Sequence, residues 1–227
     1  MNLNTKALAI TAVFVGSIAM ANAVVLTQNT SQTIVAGSVA CHAGGVTSDN
    51  GYSRGYTLSA HGIFTAFNVT AVQFGVEVAT AGASGGGFQS MTVNIYDGFT
   101  IVGGNLVFGS LAGTAVTSVA NGSLFMQNVA ISGTINSGLL AVEVDVPNSI
   151  GGDGDSFFIG SNGLGQTGPS YLRSVGCGVP NNAPLSALGF PNQHDIINVE
   201  GTAVPEPASM AALSLGALAL IRRRRNK

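Results

Sequence analysis

The chain has 227 residues, a formal net charge of −2, 32 glycines, no tryptophan and only 8% charged residues. So few Lys and Glu exclude helical surfaces laced with ion pairs, while Val, Ile, Leu and Phe throughout exclude a disordered chain. Between residues 24 and 203 the only basic side chains besides histidine are Arg54 and Arg173, against nine carboxylates from Asp49 to Glu200, which excludes a phosphate-tracking stripe and so nucleic acid as a partner.

Residues 1–23 read as a signal peptide with a helical apolar core. Lys6 lies in a short polar segment, an apolar run extends from Ala7 to Met20, and Ala21-Asn22-Ala23 is an A-x-A cleavage signal. The run falls short of the roughly 20 residues that cross a bilayer, which favours cleavage over a retained anchor. The mature chain is expected to start at Val24 and to be exported.

Three segments then alternate with period two. Val72, Phe74, Val76 and Val78 enclose Gln73, Gly75 and Glu77; Met91, Val93 and Ile95 alternate with Thr92, Asn94 and Tyr96; Leu140, Val142, Val144 and Val146 enclose Ala141, Glu143 and Asp145. This pattern predicts strands buried on one face. Weaker runs at 106–111, 124–131, 157–159 and 196–199 are separated by turn-forming segments such as 83–87 and 151–154. No long apolar pattern at helical spacing occurs between Val24 and Ala203. The expected architecture is all-β over residues 24–203: an antiparallel, jelly-roll-like β-sandwich with polar outer faces.

Within that domain Cys41 and Cys177 are the only cysteines, and in an exported chain an even count favours a disulfide between the domain's N-terminal segment and a late loop over two buried thiols. His42, His61 and His194 lack the close spacing of zinc ligands, even with Cys41 or Asp195 added. Asp153 and Asp155 sit in a Gly-rich turn and are the best candidates for a metal site, with calcium as the cofactor they would suit, although Asp and Gly also make plain turns. No G-x-S-x-G elbow or P-loop lysine occurs, and Glu77 and Glu143 fall on outward strand faces where solvent is the default, so no catalytic residue is assigned and the chain is not read as an enzyme. Tyr52, Tyr56, Tyr96 and Tyr171 could stack on sugar rings, but packing and turn roles explain them as well.

The C-terminal segment 204–227 has three parts in order. Val204-Pro205-Glu206-Pro207 blocks helix, Ala208 to Ile221 forms an apolar helix, and Arg222, Arg223, Arg224 and Arg225 resist transfer across a membrane. The arrangement resembles the PEP-CTERM sorting signal of Gram-negative bacteria. That resemblance implies recognition of Pro205, Glu206 and Pro207 by an exosortase, transient attachment to the inner membrane through the tail, and removal of the tail before release or attachment at the surface. It also implies an association with exopolysaccharide, biofilm and extracellular matrix. Separately, the segment from Ser170-Tyr171-Leu172-Arg173 through Cys177-Gly178 to Gly189-Phe190-Pro191 and His194 resembles part of the β domains of secreted bacterial proteins, without naming an activity. The functional expectation is an exported cell-surface or matrix structural module; the alternative is an exopolysaccharide-binding module assisted by calcium.

Overall fold

The computed structural model describes residues 23–205 together with Leu215, Gly216, Ile221 and Arg222. The predicted signal helix lies outside the described residues, as does most of the predicted C-terminal helix; the four residues described there are helical and exposed. Among the described residues no helix is long and apolar enough to cross a membrane. By its contacts, Asn22–Val204 forms one compact unit, and the fold that follows is that unit's.

Its strands in chain order are β1 (Ala23–Leu26), β2 (His42–Ala43), β3 (Val46–Thr47), β4 (Asn50–Thr57), β5 (Phe67–Thr80), β6 (Phe88–Val102), β7 (Asn105–Ala120) and β8 (Gly122–Ile135). They continue as β9 (Leu139–Val146), β10 (Ser156–Ile159), β11 (Ser161–Asn162), β12 (Ser170–Ser174), β13 (Val179–Pro184), β14 (His194–Asp195) and β15 (Ile197–Ala203). The three alternating segments of the sequence fall inside β5, β6 and β9, and every strand pairing is antiparallel.

One sheet is organised around β5. Strand β8 pairs with it from Phe67 to Ala79, β15 with Phe67 to Phe74 and β10 with Val76 to Thr80; β1 lies outside β15. Val72, Phe74 and Val76 are fully buried, as the alternation requires. The outward position of Gly75 is also covered, because the backbone of Gly160 lies where a Cβ would need space, 2.9 Å away. Fully burying each large apolar side chain stabilises the fold by about 1.5–3 kcal/mol, and Phe67, Phe74, Phe157 and Ile197 all contribute to the core between the sheets.

The second sheet follows the path β12-β13-β7-β6-β9-β4, and pairing of β4 with β12 closes it into a small barrel. The closure uses a sharp hairpin. Gly103 and Gly104 connect β6 to β7 with φ of 58° and 85°, the left-handed pair that a two-residue hairpin turn needs and that L side chains disfavour. A bulge at Ile95/Tyr96 bends this hairpin over, and Asn182 of β13 meets Leu106 of β7. Leu106, Ala141 and Tyr171 thereby form a second buried cluster, with Tyr96, Phe99 and Phe108 packed on it. Strand β4 serves both cores by its own alternation. Tyr52, Arg54 and Tyr56 are fully buried, while small residues interleave with them, and Phe99 covers Gly55, where a Cβ would lie 2.9 Å from the ring.

Barrel closure corrects one expectation. Glu143 does alternate out of the inter-sheet core, but the outward face of β9 is covered by the folded-over hairpin and by β12, so this residue is 5% exposed rather than solvated. Glu77 is half-buried rather than free in solvent: its carboxylate accepts the backbone N–H groups of Gly37 at 2.9 Å and Ser38 at 2.7 Å and pins the long segment after β1.

Candidate functional site

The predicted signal-peptide cleavage point and the start of the predicted tail can be located on the sheet. Ala23 pairs with Thr202 and Val24 with Gly201, so the start of β1 and the end of β15 lie at the same end of the same sheet. Strand β15 is held on both edges, by β1 and by β5, and the Val204 N–H still donates to the Ala66 carbonyl at 2.8 Å. Pro205 follows, exposed and with no N–H to give the ladder, so among the described residues backbone pairing reaches one residue into the predicted tail and no further. Cleavage before Val24 would leave Val24, Val25 and Leu26 paired with β15. Glu206, Pro207, Arg223, Arg224 and Arg225 lie outside the described residues; Arg222 is exposed.

Cys41 and Cys177 form a disulfide, with Cα atoms 5.9 Å apart across a sequence separation of 136. Cys41 stands just before β2, and Cys177 closes a short 3-10 turn after β12. The long loop after β1 is thereby fastened to the closing strand of the small barrel.

Asp153 and Asp155 line one open cleft of about 450 Å³, together with Phe88, Gln89, Ser90, Ser118, Asn148 and Ser149. Their carboxylates have different partners: Asp155 accepts the Gly82 N–H at 2.8 Å and the Ser149 hydroxyl at 3.4 Å, and Asp153 accepts the Ser84 hydroxyl. Among the described residues no group of three or more His, Cys, Asp and Glu could hold a metal ion.

Two polar clusters were not singled out from the sequence. In the first, the fully buried Arg54 guanidinium donates to the Asp195 carbonyl at 2.9 Å through Nε, and through Nη1 to Gly168 O at 2.9 Å and to Gln28 Oε1 at 3.1 Å. The Asp195 side chain, also fully buried, accepts Gln193 Nε2 at 2.8 Å on Oδ1, while Oδ2 has no hydrogen-bond partner among the described residues. Burial pushes this carboxyl up to about 7, against the opposing pull of the Gln193 amide and the nearby Arg54 charge.

In the second cluster Arg173 faces three carboxylates, Asp145 at 2.6 Å, and Glu143 and Asp49 each at 3.3 Å. Burial works against the Arg173 charge, but Glu143 and Asp145 outweigh it and hold the guanidinium above its usual range. Glu143 is also raised, first by burial and then by Asp145, although Arg173 opposes both. The two shifts agree physically, because the arginine meets three opposite charges while the buried Glu143 meets one opposite and one like charge. The Tyr96 hydroxyl donates to Glu143 at 3.2 Å, and Gly51 leaves room for the pair, since a Cβ there would stand 2.6 Å from the Glu143 carboxylate.

The tyrosines are structural. Tyr52 and Tyr56 are fully buried, Tyr171 is 5% exposed, and Tyr96 stacks on Phe108 with ring centroids 4.2 Å apart. The histidines are dispersed: His42 contacts Thr47 at 3.1 Å, His61 sits in the 3-10 turn after β4, and His194 accepts the Gly165 N–H at 3.1 Å.

Residues 203–225 match the PEP-CTERM protein-sorting motif. Comparison with curated proteins and with solved structures finds no significant match in either.

Proposed function

Starting from a chain whose tail is a PEP-CTERM sorting motif, and which is therefore an exported, envelope-associated protein processed by an exosortase, we propose that residues 24–203 form a non-catalytic structural module of the cell surface or extracellular matrix. The precursor is held at the inner membrane by its tail, and the β-sandwich is what remains after both ends are processed. The observation that supports this reading is the junction: β15 is paired with β5 through Ala203, the Val204 N–H still reaches the Ala66 carbonyl, and Pro205 has no N–H to extend the ladder, so among the described residues the sheet pairing of the sandwich is made before the Pro-Glu-Pro sequence is complete. The disulfide suits an oxidising compartment and a module that must persist outside the cell.

Replacing Glu206 with Ala tests the proposal in the native host. The variant is expected to accumulate as a full-tailed, membrane-held precursor, because the recognition sequence has lost its acidic group. Normal maturation of that variant would refute the role given to the tail.

A further inference from the structure

At one end of the sandwich, the turn from β5 into β6 and the loop from β9 to β10 enclose the cleft that contains Phe88. Phe88 opens β6 and is 53% exposed, unlike the four tyrosines, which are spent on packing. Strand geometry places Ser90, two residues on, on the same face as this ring, and Ser118 is the register partner of Ser90 on β7. Two hydroxyls thus stand beside an exposed aromatic ring. Asp153 and Asn148, from the loop between β9 and β10, add a carboxylate and an amide to the lining.

The floor is fixed. Gln89, 3% exposed, donates to the Ser156 carbonyl at 3.1 Å, and Asp155, 8% exposed, is held by the Gly82 N–H and the Ser149 hydroxyl. The volume of about 450 Å³ falls within the range of small-molecule sites.

The lining narrows the ligand class. Among the described residues it contains two carboxylates and no Lys, Arg or His, which disfavours phosphates, sulfates and uronic acids. A calcium ion takes six to eight oxygen ligands, whereas among the described residues both Asp155 oxygens and Asp153 Oδ1 already accept protein donors, and the single Asp153 Oδ2 suits a hydroxyl donor better than a cation. A wholly apolar ligand would strand the serines, Asn148 and Asp153 without water. An uncharged ring with one apolar face and a periphery of hydroxyls meets each of these conditions.

We propose that this cleft binds a neutral saccharide, with a sugar ring lying on Phe88 and its hydroxyls bonded to Asp153, Asn148, Ser90 and Ser118. The proposal rests on the matrix role given above and supplies that role with a ligand class. A neutral polysaccharide threaded past this end of the sandwich would tie the module into a matrix without covalent attachment.

The test is calorimetric titration of the mature protein with cellohexaose and chitohexaose as neutral probes and hexagalacturonate as the anionic comparator. At least one neutral hexamer is expected to bind and the anionic one not to. Phe88→Ala should weaken the neutral interaction by about tenfold or more, and Phe88→Tyr should largely keep it. Asp153→Asn should weaken it while leaving the fold intact, and the thermal unfolding midpoint of each variant checks this, since both side chains lie on the surface. Failure of both neutral hexamers to bind, full binding by a folded Phe88→Ala protein, or equal binding of hexagalacturonate would overturn the site. Maturation of the two ends is read separately by mass, so a correctly processed protein that binds no hexamer removes the saccharide site and leaves the sorting account standing.

Discussion

Replacing Asp195 with Asn should remove a pH dependence of stability that the wild-type protein carries. Burial pushes the carboxyl up to about 7 in the folded chain against 3.8 for an unburied aspartate, and among the described residues only Oδ1 has a hydrogen-bond donor. The folded state therefore holds the proton more tightly than the unfolded state. This contribution is complete below about pH 4, declines as pH rises, and is gone above about pH 7. A difference of about three units corresponds to about 4 kcal/mol across that window. Glu143 acts in the same direction, since burial raises it too. Asp97 acts in the opposite direction: burial raises it, but the hydrogen bonds from Ser137 and Asn136 together outweigh burial and lower it. Both groups remain in the variant, so they cancel in the comparison. Urea unfolding from pH 4 to pH 8, with the disulfide intact, should show the variant gaining on the wild type by about 4 kcal/mol as pH rises. Parallel stability curves for the two proteins would refute the reasoning.

The other predictions concern the disulfide and the second polar cluster. Replacing both Cys41 and Cys177 with Ser should lower stability by about 3–5 kcal/mol, the chain-entropy value for so long a loop being at the upper end, and the loss is read as a fall in the unfolding midpoint under non-reducing conditions. Arg173→Leu should cost about 2–4 kcal/mol by leaving the buried Glu143 beside Asp145 without a counter-charge, whereas Asp49→Asn, which removes one half-exposed partner of the three, should cost less than about 1 kcal/mol. Equal losses from those two substitutions would show that the cluster is not organised around Glu143.

Much of the sandwich could be read from alternation, because β5, β6 and β9 each bury one face against the same inter-sheet core. The small barrel could not. Its closure depends on a bulge at Ile95/Tyr96, on the β13–β7 pairing at Asn182 and Leu106 and on the β4–β12 pairing, both between segments far apart in sequence, and alternation is the same whether an outer face meets water or a folded-over hairpin. Glu143 reads as solvated from sequence for that reason. The burial of Arg54, by contrast, had a local signal: it stands between Tyr52 and Tyr56 at period two, so whichever face buries the tyrosines buries the guanidinium as well. Its partners Gln28, Gly168 and Asp195 come from distant segments and carry no spacing of their own. The cleft has the same character, since Phe88, Ser118 and Asp153 converge only after three connections are laid down. The sorting motif over residues 203–225 is legible from sequence, because such a signal is read by another protein as a linear sequence and needs no tertiary partner to be recognised.

Intact mass measured on protein recovered separately from membrane and culture medium of the native host tests the central claim, that a β-sandwich is delivered and then released from its tail. The expected mature species begins at Val24 and lacks the segment beyond the Pro-Glu-Pro sequence, with any added mass identifying a surface attachment. A mature protein that still carries Arg222 to Arg225 would contradict the account and make the chain a permanently anchored surface protein.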